Sequence, residues 1–180
     1  LLGNFVKKYI NKFDVVELKQ LRDILKFDDN NLFKWYLNNM KFLPNDIHNY
    51  CCKYSTEDSS ILQELIKYTQ DHIEGSVMLS GNAVGNVFQG CTMMINAKRC
   101  LDIGMFTGYS ALKVAEVIPD DGQLHTFELA ANHCNTARSF FMRTPHGKKI
   151  TIHEGPALLS LEKFNLNYFD LAFIDADKNN

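Results

Sequence analysis

From Arg99 onward the chain alternates between short apolar runs and helical runs, and this alternation limits the possible folds more than any other feature. "RCLDI" reads as a short strand. "GYSALKVAEVI" reads as a helix that must end before Pro119, because the residue ahead of a proline disfavours helical backbone. Asp121-Gly122 marks a turn and "QLHTFEL" a second strand. "ANHCNTARSFFM" reads as helix and "KKITIHE" as strand. "PALLSLEKF" is a short helix with Pro156 at its start, where a missing N–H costs nothing. "YFDLAFIDAD" is the fourth strand. Four strands alternating with three helices predict an α/β fold. Its sheet is doubly wound and mostly parallel, of order 3-2-1-4, with helices on both faces.

The residues before this alternation read as helices. Asp14 and Glu17 form a candidate capping box, followed by Val15, Leu18, Leu21, Ile24 and Leu25 at helical spacing. A second cluster, Leu32, Phe33, Trp35, Tyr36, Leu37 and Met40, ends near Pro44. These stripes suit helix packing or the face of a homodimer. Ser59 or Ser60 can cap a helix whose apolar face is Ile61, Leu62, Leu65 and Ile66, with Gly75 ending it. "SVMLSGNAVGNVFQG" is too apolar for a free linker and leads into a helix through Met93, Met94 and Ile95. The division expected is a helical extension over 1–53 and the sheet domain over 54–180.

Composition narrows the function. A formal net charge of -2, from 19 basic and 21 acidic residues, argues against nucleic acid as a partner, since phosphate binding needs a basic face. No run approaches the roughly 20 apolar residues that cross a bilayer. "LLGNFVKKYI" places its basic residues after its apolar ones, the wrong order for a signal peptide. The cysteines, Cys51, Cys52, Cys91, Cys100 and Cys134, are odd in number and lack a C-x-x-C pair. They are read as reduced thiols of a cytoplasmic protein.

In sheets of this kind ligands bind beyond the carboxyl ends of the strands, where the unusual residues lie. Asp102 sits at the tip of strand one, followed by Gly104, Gly108 and Ser110 in "DIGMFTGYS". The glycines permit a tight turn and close approach of a ligand. A helix start supplies free N–H groups. This G-x-x-x-G is not the dinucleotide fingerprint G-x-G-x-x-G. Glu128 ends strand two, where a carboxylate can accept both hydroxyls of a ribose or simply be solvated. "EGPA" places backbone groups beside the same crevice. Strand four ends in "FIDADKNN", where Asp175, Asp177 and Lys178 suit a hard cation and a basic amine, or a solvated turn.

Taken together, "LDIGMFTGYS", "TFEL", "EGPAL" and "FIDADKNN" resemble the successive motifs of the caffeoyl-CoA O-methyltransferase-like family, related to catechol O-methyltransferases. The similarity extends upstream through "YSTEDSSILQELIKYTQDHIEGSVML" and "INAKRCLDIG". It covers roughly Tyr54 to Asn180, and residues before about Tyr50 carry no resemblance. It implies a Rossmann-like domain that binds S-adenosylmethionine. Ser80 would reach over the methionine part of the cofactor. Asp102, where the family usually has Glu, would lie near its amino group. Gly104 and Met105 would line the cofactor, and Ser110 would meet its carboxylate. Glu128 would hold the ribose, and Ala157 would border the adenine. Asp175 matches a metal ligand that also touches the cofactor side, Asp177 a second cofactor contact, and Lys178 the catalytic base of the catechol branch.

The sequence departs from that pattern at two places. Ala83 and Val84 precede Gly85 where plant-like members have Asp-Glu-Gly. The remaining metal ligands, an Asp-Asn pair after the next strand, would fall beyond Asn180, so the domain reads as C-terminally truncated. The fourth strand would then be an open edge prone to pairing.

The reaction implied is in-line transfer of a methyl group to a hydroxyl of a catechol-like or phenolic small molecule. A divalent cation, magnesium, would lower the hydroxyl's pKa, and Lys178 would take its proton. The competing readings are a non-catalytic cofactor-binding or interaction module without the metal chemistry, and an NAD-binding domain. The missing G-x-G-x-x-G and the D-A-D-K ending count against the latter.

Overall fold

The structure, a computed structural model, describes residues 45–176. The Asp14–Glu17 box, the two apolar stripes between Val15 and Met40, and Asp177 and Lys178 lie outside the described residues. The chain divides between His48 and Asn49, and the sheet belongs to the second unit, Asn49–Asn180.

Helix α1 (Asn45–Tyr54) is followed by α2 (Ser60–His72), a single 3-10 turn (Ser76–Met78) and α3 (Asn82–Met94). Ser59 is the N-cap residue of α2, but its hydroxyl donates to Glu116 and makes no cap bond. Leu62 and Leu65 of α2 are fully buried, with Ile61 and Ile66 packed partly against the core. The sheet then follows as β1 (Arg99–Ile103), β2 (Gln123–Glu128), β3 (Ile150–Glu154) and β4 (Leu171–Ile174). Between the strands lie α4 (Tyr109–Ala115), α5 (Ala131–Phe141) and α6 (Ala157–Leu161). The strands pair in parallel in the order β3-β2-β1-β4, as the alternation predicts. Cys100 of β1, Leu124 of β2, Leu112 and Val114 of α4, and Cys134 and Ala137 of α5 are wholly buried in one core.

Several boundaries differ from the sequence reading, and at two of them, the starts of β3 and β4, a side chain is used elsewhere. Lys148 and Lys149 close a 3-10 turn (Pro145–Lys149) and are not part of β3. The Lys149 ammonium donates to the carbonyls of Ala115 (3.2 Å) and Ile118 (2.7 Å). A cation there satisfies carbonyls that a helix end leaves unpaired. Helix α4 stops at Ala115 rather than reaching Ile118, and the residues after it tighten into turns. β4 begins only at Leu171, because Asp170 Oδ2 accepts the amides of Lys98 (2.9 Å) and Arg99 (2.8 Å). Tyr168 and Phe169 turn instead toward His125.

Among the described residues β4 is an edge strand, and no helix is long and apolar enough to cross a membrane.

Candidate functional site

The carboxyl ends of β1, β2 and β4 meet at tight turns, and glycine makes the first of them possible. Gly104 has φ +96°, and a Cβ there would fall 2.7 Å from the Ala176 nitrogen. The amides of Gly104 and Met105 both donate to the Phe127 carbonyl, at 3.0 and 3.1 Å. Phe106 follows in the left-handed region, at φ +51°. That turn aims the Phe106 amide at Glu128 Oε2, 2.8 Å away.

Glu128 is thereby held from two sides, since its Oε1 accepts the Ala130 amide at 2.9 Å. His133 Nδ1 stands 3.5 Å from the same oxygen, and the Phe106 ring meets the His133 ring edge-on at 4.6 Å. The carboxylate is therefore fixed in orientation before any ligand arrives, and each oxygen keeps a second lone pair for accepting a hydroxyl. Beyond β3, Gly155 donates to the Glu128 carbonyl (2.9 Å). Its φ is +116°, and a Cβ there would meet nothing within 4 Å, so the backbone faces open space.

On the opposite side, the Asp175 amide donates to the Ile103 carbonyl (2.9 Å). The Ser80 hydroxyl donates to Asp175 Oδ2 at 3.2 Å. Ser80 belongs to the strap between the Ser76–Met78 turn and α3, so this bond links the strap to the end of β4. The space between is a cavity of about 810 Å³, within the size range of small-molecule sites.

Ser80, Gly104, Met105, Ser110, Glu128, Ala157 and Asp175 surround this one cavity. Asp102 does not line it. Its carboxylate is fully buried and accepts from Thr126 Oγ1 (2.8 Å) and Ser110 Oγ (3.1 Å to Oδ2). Burial pushes its pKa up to about 6, despite those two hydrogen bonds, with smaller contributions from the charges of Asp175 and Glu128. Asp102 thus anchors Ser110, whose hydroxyl is directed at it. A second hollow, about 660 Å³ at the other end of the strands, is lined by Lys98, Arg99, Asp121 and Asp170. Its charges are already paired, Lys98 with Asp121 (2.6 Å) and Arg99 with Asp170 (3.5 Å).

The sequence reading passed over Phe106, Tyr109 and His133, which also line the cavity. It also missed Asp58 and Lys113, which form a buried ion pair behind Tyr109. One signal was available: Lys113 interrupts the apolar run Ala111, Leu112, Val114 and Ala115, and a lysine so placed needs a buried partner.

The residues present fit a nucleoside-bearing cofactor: a carboxylate fixed at the end of β2, a bare backbone at Gly155 and an apolar wall. Among the described residues no group of three or more His, Cys, Asp or Glu could hold a metal ion.

A family model described as O-methyltransferase matches residues 52–180. A second, described as flavinator of succinate dehydrogenase, matches residues 1–68, so the segment read as without resemblance does carry one. A probable caffeoyl-CoA O-methyltransferase 1 of Dictyostelium discoideum is 32% identical over 138 residues, covering 74% of this chain and 60% of that protein. Catechol O-methyltransferase domain-containing protein 1 of Mus musculus is 30% identical over 140 residues, covering 76% and 53%. The chain thus spans three fifths or less of these relatives. The S-adenosylhomocysteine-bound methyltransferase PaMTH1 of Podospora anserina superimposes with a TM-score of 0.70 at 27% identity, covering 78% of this chain and 62% of that one. A structure described as that of an O-methyltransferase from Klebsiella pneumoniae gives 0.65 at 32% identity, covering 73% of this chain and 60% of that one.

Proposed function

Because the chain belongs to the O-methyltransferase family, we propose that its cavity binds S-adenosylmethionine for methyl transfer to a hydroxyl of a small phenolic, catechol-like acceptor. The observation that carries this reading is Glu128, a carboxylate pinned by the amides of Phe106 and Ala130 at the cavity wall. A ribose offers two adjacent hydroxyls, and a carboxylate held in one orientation accepts both without paying to order itself. Ala157, next to the bare backbone of Gly155, borders the adenine. Ser80 and Asp175, hydrogen-bonded to each other, close the methionine end together. Asp102 supports this floor from beneath through Ser110.

The bound cofactor supplies an electrophilic methyl on a sulfonium. The chain's own work is to fix that methyl against the acceptor oxygen and to exclude water. Asp177 as a further cofactor contact, and Lys178 as the base that takes the hydroxyl proton, belong to this proposal through the family resemblance. A divalent cation, magnesium, belongs to it only through Asp175, the one described residue at a ligand position of the family. A homodimer of cytoplasmic protein, with neither nucleic acid nor membrane as partner, completes the reading.

Calorimetry with S-adenosylmethionine, S-adenosylhomocysteine and NAD tests the cofactor. Binding of both sulfur compounds and not of NAD is expected, and preference for NAD overturns the reading. Transfer of labelled methyl to catechol, with magnesium and with chelator, tests the acceptor. Cofactor binding with no transfer to any phenol would leave the non-catalytic module as the better description.

The match over residues 1–68 favours a second reading for that segment, an action on the flavin content of succinate dehydrogenase. Adding the chain to flavin-depleted succinate dehydrogenase tests it, and unchanged flavin incorporation rejects it.

A further inference from the structure

Behind the cavity wall lies a charged cluster that the proposed chemistry does not use. Asp58, in the loop before α2, accepts the Lys113 ammonium at 2.6 Å and the Tyr109 hydroxyl at 3.0 Å to each carboxylate oxygen. The side chains of Lys113 and Asp58 are 1% and 7% exposed, and Tyr109 is 1% exposed. Tyr109 lines the cavity at the start of α4, so its ring is held from behind by its own hydroxyl.

The same loop also grips α3. The Thr56 carbonyl accepts the side-chain amides of Asn82 (3.0 Å) and Asn86 (3.1 Å). Gly85 lies between those two residues on α3. A Cβ there would come within 3.1 Å of both Lys113 Cγ and Tyr109 Cε1, so α3 presses directly on the cluster. Asn82 opens α3 immediately after the strap, and Ser80 of the strap bonds Asp175. One continuous path therefore runs from Asp175 through Ser80, Asn82 and Thr56 to Asp58, and from Asp58 into α4.

A buried ion pair is a costly way to gain stability, because an apolar pair of similar volume serves as well or better. What a carboxylate with three short contacts provides is a fixed geometry. We propose that Asp58, paired with Lys113, is a positioning residue for the cofactor cavity: it holds the Tyr109 wall and the Ser76–Gly81 strap in register around the bound cofactor. This rests on the reading of the cavity as an S-adenosylmethionine site.

The test uses the full 180-residue chain and three variants: Tyr109→Phe, Asp58→Asn, and the apolar exchange Asp58→Leu with Lys113→Met. Calorimetry with S-adenosylhomocysteine is read beside thermal unfolding and hydrogen exchange of the strap amides. Tyr109→Phe is expected to lower Tm by roughly a few degrees, since a buried hydrogen bond to a carboxylate is lost, and to weaken binding about tenfold at a temperature where the variant is fully folded. The apolar exchange is expected to hold its Tm, lose affinity to the same degree, and exchange faster at Val77 to Gly81. Wild-type affinity and strap protection in Tyr109→Phe would overturn the proposal, whatever the stability of the other variants. Failure of the wild type to bind would instead count against the cofactor assignment. In that case exchange in the free protein still decides the positioning role, with an unchanged strap in Tyr109→Phe overturning it.

Discussion

Phe106 and Glu128 stand 22 residues apart in sequence, yet the amide of the first donates to the carboxylate of the second at 2.8 Å. The β1–α4 turn thus sets the orientation of the group that ends β2. Two parts of the cavity wall from different strands are locked together before any ligand binds.

Replacing Glu128 by Ala removes the acceptors proposed for the ribose and frees the amides of Phe106 and Ala130. Charge-assisted hydrogen bonds of this kind contribute about 1.5–3 kcal/mol each. S-adenosylhomocysteine affinity is expected to fall at least about tenfold. Equal dissociation constants for wild type and variant in calorimetry would reject the role of Glu128.

Gly104→Ala should close the site by its backbone. The new Cβ would sit 2.7 Å from the Ala176 nitrogen, at a φ of +96° that L-residues rarely adopt. A strain of about 1–3 kcal/mol is expected, with a matching fall in urea midpoint and loss of cofactor binding. A variant with wild-type stability would show that the Asp175–Ala176 turn yields easily.

Asp102 gives a pH dependence with a definite sign. Its folded pKa of about 6 lies above the ordinary 3.8. Between those values the native state keeps a proton that the unfolded state has released, so stability falls as pH rises through roughly 4 to 6. A displacement of this size is equivalent to about 3 kcal/mol, fully incurred above pH 6. Asp102→Asn should remove that fall. Urea unfolding at pH 4.5 and 7 checks it, and an unchanged difference between the two pH values would show that the charge is already well solvated.

His125 and His153 act in the opposite direction. Their ring nitrogens meet at 3.0 Å across β2 and β3. Burial lowers both pKa values first, then the charge of His153 acts on His125 and that of Lys163 on His153. The fold favours both rings in the neutral form, so their stabilising contribution is complete above the unfolded value of about 6.5 and is lost as pH falls below it. Phe164, Tyr168 and Phe169 surround His125, and Phe is the natural replacement there. His125→Phe should flatten the drop in Tm between pH 7 and 5.5. A drop as steep as the wild type's would assign the acid sensitivity to other groups.

The strand order and the cavity-facing glycines were legible because they follow from local pattern. Alternating runs force parallel crossovers, and a strand followed by Gly-rich turns marks the ligand end. At Asp102 depth was the part not legible. Sequence places it at a strand tip but says nothing about depth, and Thr126 and Ser110 draw it beneath the floor. Lys148 and Lys149 fit a strand by pattern, while the vacant carbonyls at the end of α4 that claim Lys149 are visible only in three dimensions. The Asp58–Lys113 pair joins positions 55 residues apart, and no local period can announce such a partner.

The order β3-β2-β1-β4 also dictates when the cavity can exist during folding. β1 meets β2 across short separations, as with Asp102 and Thr126, 24 residues apart. On its other edge β1 waits for a segment much farther along, since the Arg99 amide bonds Asp170 across 71 residues. The larger loop costs more entropy to close, and contacts of that range form late. The β1–β2–β3 half can therefore assemble first, with Glu128 already clasped by the Phe106 amide. The Asp175 side arrives only when β4 docks, so affinity for a ligand should appear in the last refolding phase, after most of the helix signal has returned.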